Sequence, residues 1–135
     1  MTGQRLGSGG PWEERYGYSR AVVVGDHVWV AGSTSVVDGQ LVHEGDAGAQ
    51  AQTAFGIALT AVEEAGFSRA DVVRTRMFVV DLPANGEAVA EAHGEIFRDI
   101  RPASALIGVA ALLDPRMLVE VEVEAYRAKS RGPGS

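Results

Sequence analysis

The alternation of hydrophobic and polar positions changes period several times along the chain, and each change marks an element. In "SRAVVVGDHVWVAGSTS", two short β-branched and aromatic runs, 20–24 and 27–32, flank Gly25-Asp26. A two-residue break of this kind predicts a hairpin. "VVDGQLV" holds a second turn at Asp38-Gly39, so the sheet is expected to begin as a meander. Over residues 46–65 the period becomes helical. Ala51, Ala54, Phe55, Ala58, Leu59 and Val62 recur at three- and four-residue spacing, with Asp46 placed as N-cap and Gly66 as the stop. The alanines on this face predict close packing on a sheet.

"DVVRTRMFVVDL", residues 71–82, returns to period two. Val73, Thr75, Met77 and Val79 point one way, and Arg74, Arg76, Phe78 and Val80 the other. Both faces are mostly apolar, which predicts a strand covered on both sides. Its two arginines then need acidic partners or a subunit boundary. Residues 84–98 read as a second helix, with Val89, Ala92, His93 and Ile96 on one face and Glu87, Glu91 and Glu95 on another. Pro102 ends it.

A strand is expected at about 104–110, a turn at Asp114-Pro115, and a strictly alternating strand in "MLVEVEVEAY". The order β-β-α-β-α-β-β describes a single α+β domain with both helices on one face of the sheet. The other face, with Phe78, Val80, Arg74 and Arg76, would leave a large apolar patch bare, and burial in a homo-oligomer resolves this. Residues 1–15, glycine-rich and polar, read as an arm that is loose or orders on contact. The tail "KSRGPGS" reads as disordered.

Composition narrows the classes. With 135 residues the chain can bury a core without staples. It has no cysteine, which excludes a disulfide framework, a thiol nucleophile and a cysteine metal cage. No apolar run approaches the roughly 18 residues of a membrane span, and "MTGQRLGSGG" lacks a signal-peptide core. A soluble cytoplasmic protein is expected. The net charge of −6 repels phosphate backbones, and the Arg74/Arg76 pair is too small a basic patch for nucleic-acid binding.

Candidate chemistry is sparse. His27, His43 and His93 do not pair at metal-ligand spacing, so no zinc site is expected. His93 lies on the second helix, where it reads either as a helix–sheet edge residue or as a general base. "GSGG" and "GSTS" lack the lysine and the strand–helix context of a phosphate loop. Glu122 and Glu124 read as a half-solvated row pairing with Arg74 and Arg76. Glu120 stands apart, because it would lie near Ser104 if the last two strands paired as a hairpin.

Four ordered stretches, "YGYSRAVVVGDHVWVAGSTS", "AQAQTAFGIALTAVEEAGFSRADVVRTRMFVVDL", "FRDIRPASALIGVAAL" and "PRMLVEVEVEA", resemble the RidA/YjgF family, also called endoribonuclease L-PSP. The resemblance spans residues 16–127 as one domain, with 1–15 as the arm and 128–135 as a flexible tail. It implies a chorismate-mutase-like α+β fold and a homotrimer with clefts at the subunit interfaces. It also implies hydrolysis of reactive enamines and imines, such as those derived from 2-aminoacrylate, to 2-keto acids and ammonia, without metal or cofactor. In such a site an arginine binds the substrate carboxylate and a glutamate attends the attacking water.

Residue by residue, Tyr18 matches the family's cleft tyrosine, with Gly17 where a proline is usual. Gly32 matches the cleft glycine and Glu120 the cleft glutamate. The carboxylate-binding arginine belongs in a "P-A-R-S" pattern, and its position here is Ser104. Arg101, before Pro102, and Arg20, near Tyr18, are the candidates to replace it; Arg101 reads equally as a solvated residue.

The expected function is therefore the binding of a small carbonyl, imine or carboxylate metabolite, with imine deamination on an altered substrate. A non-catalytic ligand-binding or regulatory trimer is the alternative. Ribonuclease activity follows only from the family's label and runs against the acidic charge.

Overall fold

The β-branched runs flanking Gly25-Asp26 form the expected hairpin, β2 (Ala21–Val24) and β3 (His27–Ser33). The structure, a computed structural model, describes residues 3–128. The tail from 129 onward lies outside them.

The long helices also fall where the period placed them. α2 (Ala47–Glu64) is capped by the Asp46 side chain, which accepts from the Ala49 N–H at 3.0 Å. Gly66 ends it with φ 90°, and the N–H groups of Gly66 and Phe67 return to the carbonyls of Glu63 and Val62. That pairing satisfies the last turn and requires the left-handed backbone glycine tolerates. A 3₁₀ turn (Arg69–Asp71) leads into β6 (Val72–Val80), α3 (Leu82–Phe97), β7 (Ala103–Val109) and β8 (Val119–Tyr126). α3 begins two residues earlier than expected, because Pro83 suits a first helical turn.

The main sheet has six strands in the order β1-β2-β3-β8-β6-β7, where β1 is Gln4–Leu6. Both long helices lie on one face, as expected. Phe55, Leu59 and Val62 of α2 and Val89 and Phe97 of α3 are buried over Val28, Val30, Met77, Val79, Val119, Val121 and Val123. All six positions of the apolar stripe read on α2 are buried. β8 alternates without exception: its valines face the helices and Glu120, Glu122 and Glu124 the open side. No helix among the described residues is long and apolar enough to cross a membrane.

Several expectations are corrected. Asp38-Gly39 closes a separate two-stranded ribbon, β4 (Val36–Val37) with β5 (Gln40–Leu41), so the meander does not continue in the main sheet. Residues of the arm are ordered: β1 pairs with β2, and α1 (Pro11–Tyr16) follows. Val73 is 44% exposed, because an irregularity between Val72 and Arg74 turns Val72 inward instead. β7 and β8 do not pair. α3 is a crossover that brings β7 parallel to β6, and β8 inserts antiparallel between β6 and β3.

Arg76, Phe78 and Val80 are half-buried on the helix-free face, which neither long helix covers. Arg76 reaches Glu122 at 3.4 Å and Glu124 at 3.5 Å; Arg74 forms no ion pair among the described residues.

Candidate functional site

The site is built around an irregularity in β3. Val30 pairs with Val123 and Ser33 with Val121, so Ala31 and Gly32 together oppose Glu122. Such a bulge leaves backbone groups without ladder partners. Arg20, entering β2, supplies them: its Nη2 donates to the carbonyls of Ala31 at 2.6 Å and Gly32 at 2.7 Å. The Arg20 carbonyl in turn accepts from the Ala31 N–H at 2.9 Å. Arg20 is thus a brace for the bulge. Burial lowers its pKa, opposed by Glu13, Tyr18 and Glu120.

The brace sets Gly32 against Glu120. A methyl group at Gly32 would lie 2.9 Å from Cδ and 3.3 Å from Cγ of Glu120, and closer still to Oε2. Only a residue without Cβ lets the carboxylate lie flat on this backbone. Glu120 is partly buried, and burial pushes its pKa up; Glu122 adds to the shift and Arg20 opposes it. No side-chain hydrogen bond engages its carboxylate among the described residues. A positioned carboxylate of raised basicity with open acceptor sites can orient or deprotonate water.

Glu120, Gly32, Arg20 and Tyr18 line one cleft of about 610 Å³. The structure therefore brings together four of the seven residues singled out from the sequence. The other three lie elsewhere in the chain. Ser104, on β7, is level with Thr75 of β6 and faces the helices, whereas Glu120 is level with Phe78 and faces the open side. Thr75 Oγ1 donates to Ser104 Oγ at 2.8 Å and lies 2.7 Å from His93 Nε2. His93 also packs edge-on to Phe55, and burial lowers its pKa. It sits at the helix–sheet edge in a hydroxyl network. Arg101 is exposed after α3 with φ 57°, and its side chain forms no hydrogen bond or ion pair among the described residues. The proximity of Glu120 to Ser104 rested on a β7–β8 hairpin that does not exist.

The cleft also has walls that the sequence reading missed. α1 contributes Trp12, Glu13 and Tyr16, and Leu113 and Met117 come from the loop before β8. Trp12 and Tyr16 stack at 5.7 Å, Arg15 lies over the Tyr16 ring, and Glu13 accepts from the Ser8 backbone and hydroxyl. The signals were present in "GGPWEERYG": Pro11 at the first helical position, Glu13 and Glu14 in the first turn, and Gly17 as a left-handed stop. Six residues are too few for periodicity to register.

Buried Gln50 ties the loop to α2. Its Nε2 donates to the carbonyls of His43 at 3.1 Å and Arg116 at 3.0 Å, and its Oε1 accepts from the Leu118 N–H at 2.8 Å.

Comparison with known proteins agrees with this architecture. The family model described as endoribonuclease L-PSP matches residues 12–127. A protein of Streptomyces coelicolor is 44% identical over 124 residues, 92% of each chain. A RutC family protein of Pyrococcus abyssi is 32% identical over 113 residues, covering 82% of this chain and 86% of its own. Among solved structures, Rv2704 of Mycobacterium tuberculosis, a member of the YjgF/YER057c/UK114 family, superposes with a TM-score of 0.83. It is 39% identical and covers 93% of this chain and 100% of its own. With its chorismate-mutase-like α+β fold, the chain belongs to the endoribonuclease L-PSP family, the RidA/YjgF proteins.

Proposed function

We propose that the protein binds a small imine, enamine or carbonyl compound in the Glu120 cleft and hydrolyses the imine form to a carbonyl compound and an amine or ammonia. The observation that carries this reading is the Glu120 carboxylate, of raised pKa, laid against the Gly32 backbone and free to accept from water. In the reaction the water oxygen bonds to the imine carbon and the C=N π pair passes to nitrogen. Glu120 takes a water proton and returns it to nitrogen, giving a carbinolamine; it then takes the hydroxyl proton and passes it to nitrogen as the C=O bond forms and the C–N pair leaves with the amine. Tyr18 and Gly32 border the reacting group, and Arg20 holds Gly32 in place.

A homotrimer fits this reading. β7 is an edge strand with Leu106 exposed, and the sheet face bearing Phe78 and Val80 is covered by neither long helix. Such an assembly would carry β7, with Ser104 and Arg101, to the cleft of a neighbouring copy.

A panel of enamines and imines tests the proposal. Turnover that falls ~100-fold or more in Glu120→Gln supports hydrolysis. Absence of turnover on every compound, with ligand affinity unchanged in Glu120→Ala, sinks it in favour of the non-catalytic reading. His93, the one histidine read as a general base, lies on the opposite side of the sheet from Glu120, which favours that alternative. Ser104→Arg probes the interface: gained activity on short imino acids places β7 of one copy at the cleft of another.

A further inference from the structure

We propose that Ser104 is the outer end of a hydroxyl chain, Ser104–Thr75–His93, that meets the ligand in the cleft of a neighbouring copy, and that protonation of His93 fixes the Ser104 hydroxyl there as a hydrogen-bond donor. This rests on the assembly described under the proposed function, in which β7 of one copy reaches the Glu120 cleft of another. The ligand it suits carries an acceptor oxygen, of a carboxylate or a carbonyl, at its polar end.

The chain lies within one copy. β6 and β7 pair in parallel with Thr75 level with Ser104, and α3 brings His93 to Thr75. Thr75 is fully buried, and its Oγ1 lies 2.8 Å from Ser104 Oγ and 2.7 Å from His93 Nε2. Ser104, on the edge strand, is exposed. Both bonds lie inward of Ser104, so a neighbour or ligand arriving at β7 meets the outer hydroxyl.

A hydroxyl has a single hydrogen, so the direction of the chain is set at its inner end. When His93 Nε2 carries a proton, it donates to Thr75. Thr75 then donates to Ser104, whose own hydrogen turns outward. When Nε2 is bare, Thr75 donates to it and accepts from Ser104, which then shows only lone pairs. Neutral His93 allows both directions, through its two tautomers; the imidazolium allows only the first.

His93 is placed to make this change. Phe55 of α2 and Phe97 of α3 pack on its ring, Thr75 of β6 bonds to it, and Ser104 of β7 lies beyond. Burial alone lowers its pKa below the ordinary 6.5, with no charged group contributing. It is therefore mostly neutral at pH 7. A ligand that needs an outward donor binds the imidazolium form more tightly, and by linkage it raises the His93 pKa. Arg101, carried by the same segment, stays charged throughout, so a response that follows the hydroxyl chain is not its own.

The test uses the full-length protein and 3-phenylpropanoate, whose carboxylate supplies the acceptor and whose ring suits Trp12 and Tyr16 of the cleft. His93 is titrated by NMR with and without saturating probe, and the Kd is measured by calorimetry. Saturation should raise the His93 pKa by ~1, a tenfold preference for the imidazolium. Ser104→Ala and Thr75→Val should abolish that rise and Thr75→Ser should keep it, with every variant shown to be folded. A purely structural network would alter melting and leave the response to the probe unchanged. The Kd should also change in Glu120→Gln, which removes a carboxylate from the cleft. Within one chain Ser104 and Glu120 lie on opposite faces of the sheet, so a probe that senses both spans two copies.

A rise that persists in Thr75→Val is direct charge attraction and overturns the proposal. Binding without a rise, a Kd unchanged in Glu120→Gln, or no binding at all overturns it too. Hydrolysis is judged separately, by imine turnover in Glu120→Gln. A probe-linked rise without turnover of any imine upholds the chain and rejects hydrolysis; Glu120-dependent turnover without the rise does the reverse.

Discussion

Replacing Gly32 by alanine adds one methyl group at the point where backbone and carboxylate meet. The methyl would lie 2.9 Å from Cδ of Glu120, well inside contact distance, so the carboxylate must swing away. The backbone itself does not object, since Gly32 is not among the positive-φ glycines. Alanine at a compatible glycine site typically adds ~0.4–1 kcal/mol of stability through the unfolded chain. The atoms in the way are the mobile end of a side chain, so the fold loses little. Catalysis loses much more: a displacement of ~1 Å in a positioned group costs ~100-fold. Gly32→Ala should therefore melt within a few degrees of wild type while kcat/KM on the best imine falls ~100-fold. Differential scanning calorimetry and steady-state kinetics on the same preparation provide the two readouts. Wild-type turnover in a correctly folded Gly32→Ala would refute the reasoning, because it would mean the Glu120–Gly32 contact is not where chemistry occurs.

Arg20→Met removes two charge-assisted bonds to bulge carbonyls, each worth ~1.5–3 kcal/mol. Urea unfolding should show a loss of ~2–4 kcal/mol, below the sum of the two because the methionine no longer buries a charge, and an unchanged midpoint would show that the bulge holds itself. Gln50→Leu leaves the carbonyls of His43 and Arg116 and the Leu118 N–H without partners, each costing ~1–3 kcal/mol. Its unfolding midpoint should drop, with ligand affinity falling alongside because Met117 sits in the same loop. Glu120→Gln should raise Tm at neutral pH. The folded pKa of Glu120 lies above its ordinary 4.5, so the folded state binds the proton more tightly than the unfolded chain. The stability this gives is fully present below 4.5 and is lost as pH rises through the folded value, so the gain in Glu120→Gln should grow across that window. A Tm difference independent of pH between 4 and 8 would contradict the assigned shift.

Much of the sheet and both long helices were legible because burial imposes period on sequence. Val119, Val121 and Val123 against Glu120, Glu122 and Glu124, and the alanine stripe of α2, read directly. Strand order did not. Nothing local in β7 or β8 states that β8 inserts between β6 and β3, and the assumed hairpin put Ser104 beside Glu120 when β6 separates them. The bulge at Ala31-Gly32 is equally silent in "WVAGS", because its cause is a guanidinium eleven residues earlier in the chain. Of the site, the resemblance supplied Tyr18, Gly32 and Glu120, and proximity to Tyr18 suggested Arg20. The aromatic wall escaped because α1 is too short for its pattern to show, although its proline, acidic turn and glycine stop were all there.

In the proposed reaction the carboxylate at position 120 directs water onto an imine carbon. Its most direct test is the kcat/KM for hydrolysis of an oxidase-generated imine by wild type and by Glu120→Gln, compared at pH 7 with both proteins shown to be folded. A ratio of ~100 or more is expected. A ratio within twofold, on any imine the wild type turns over, would contradict it.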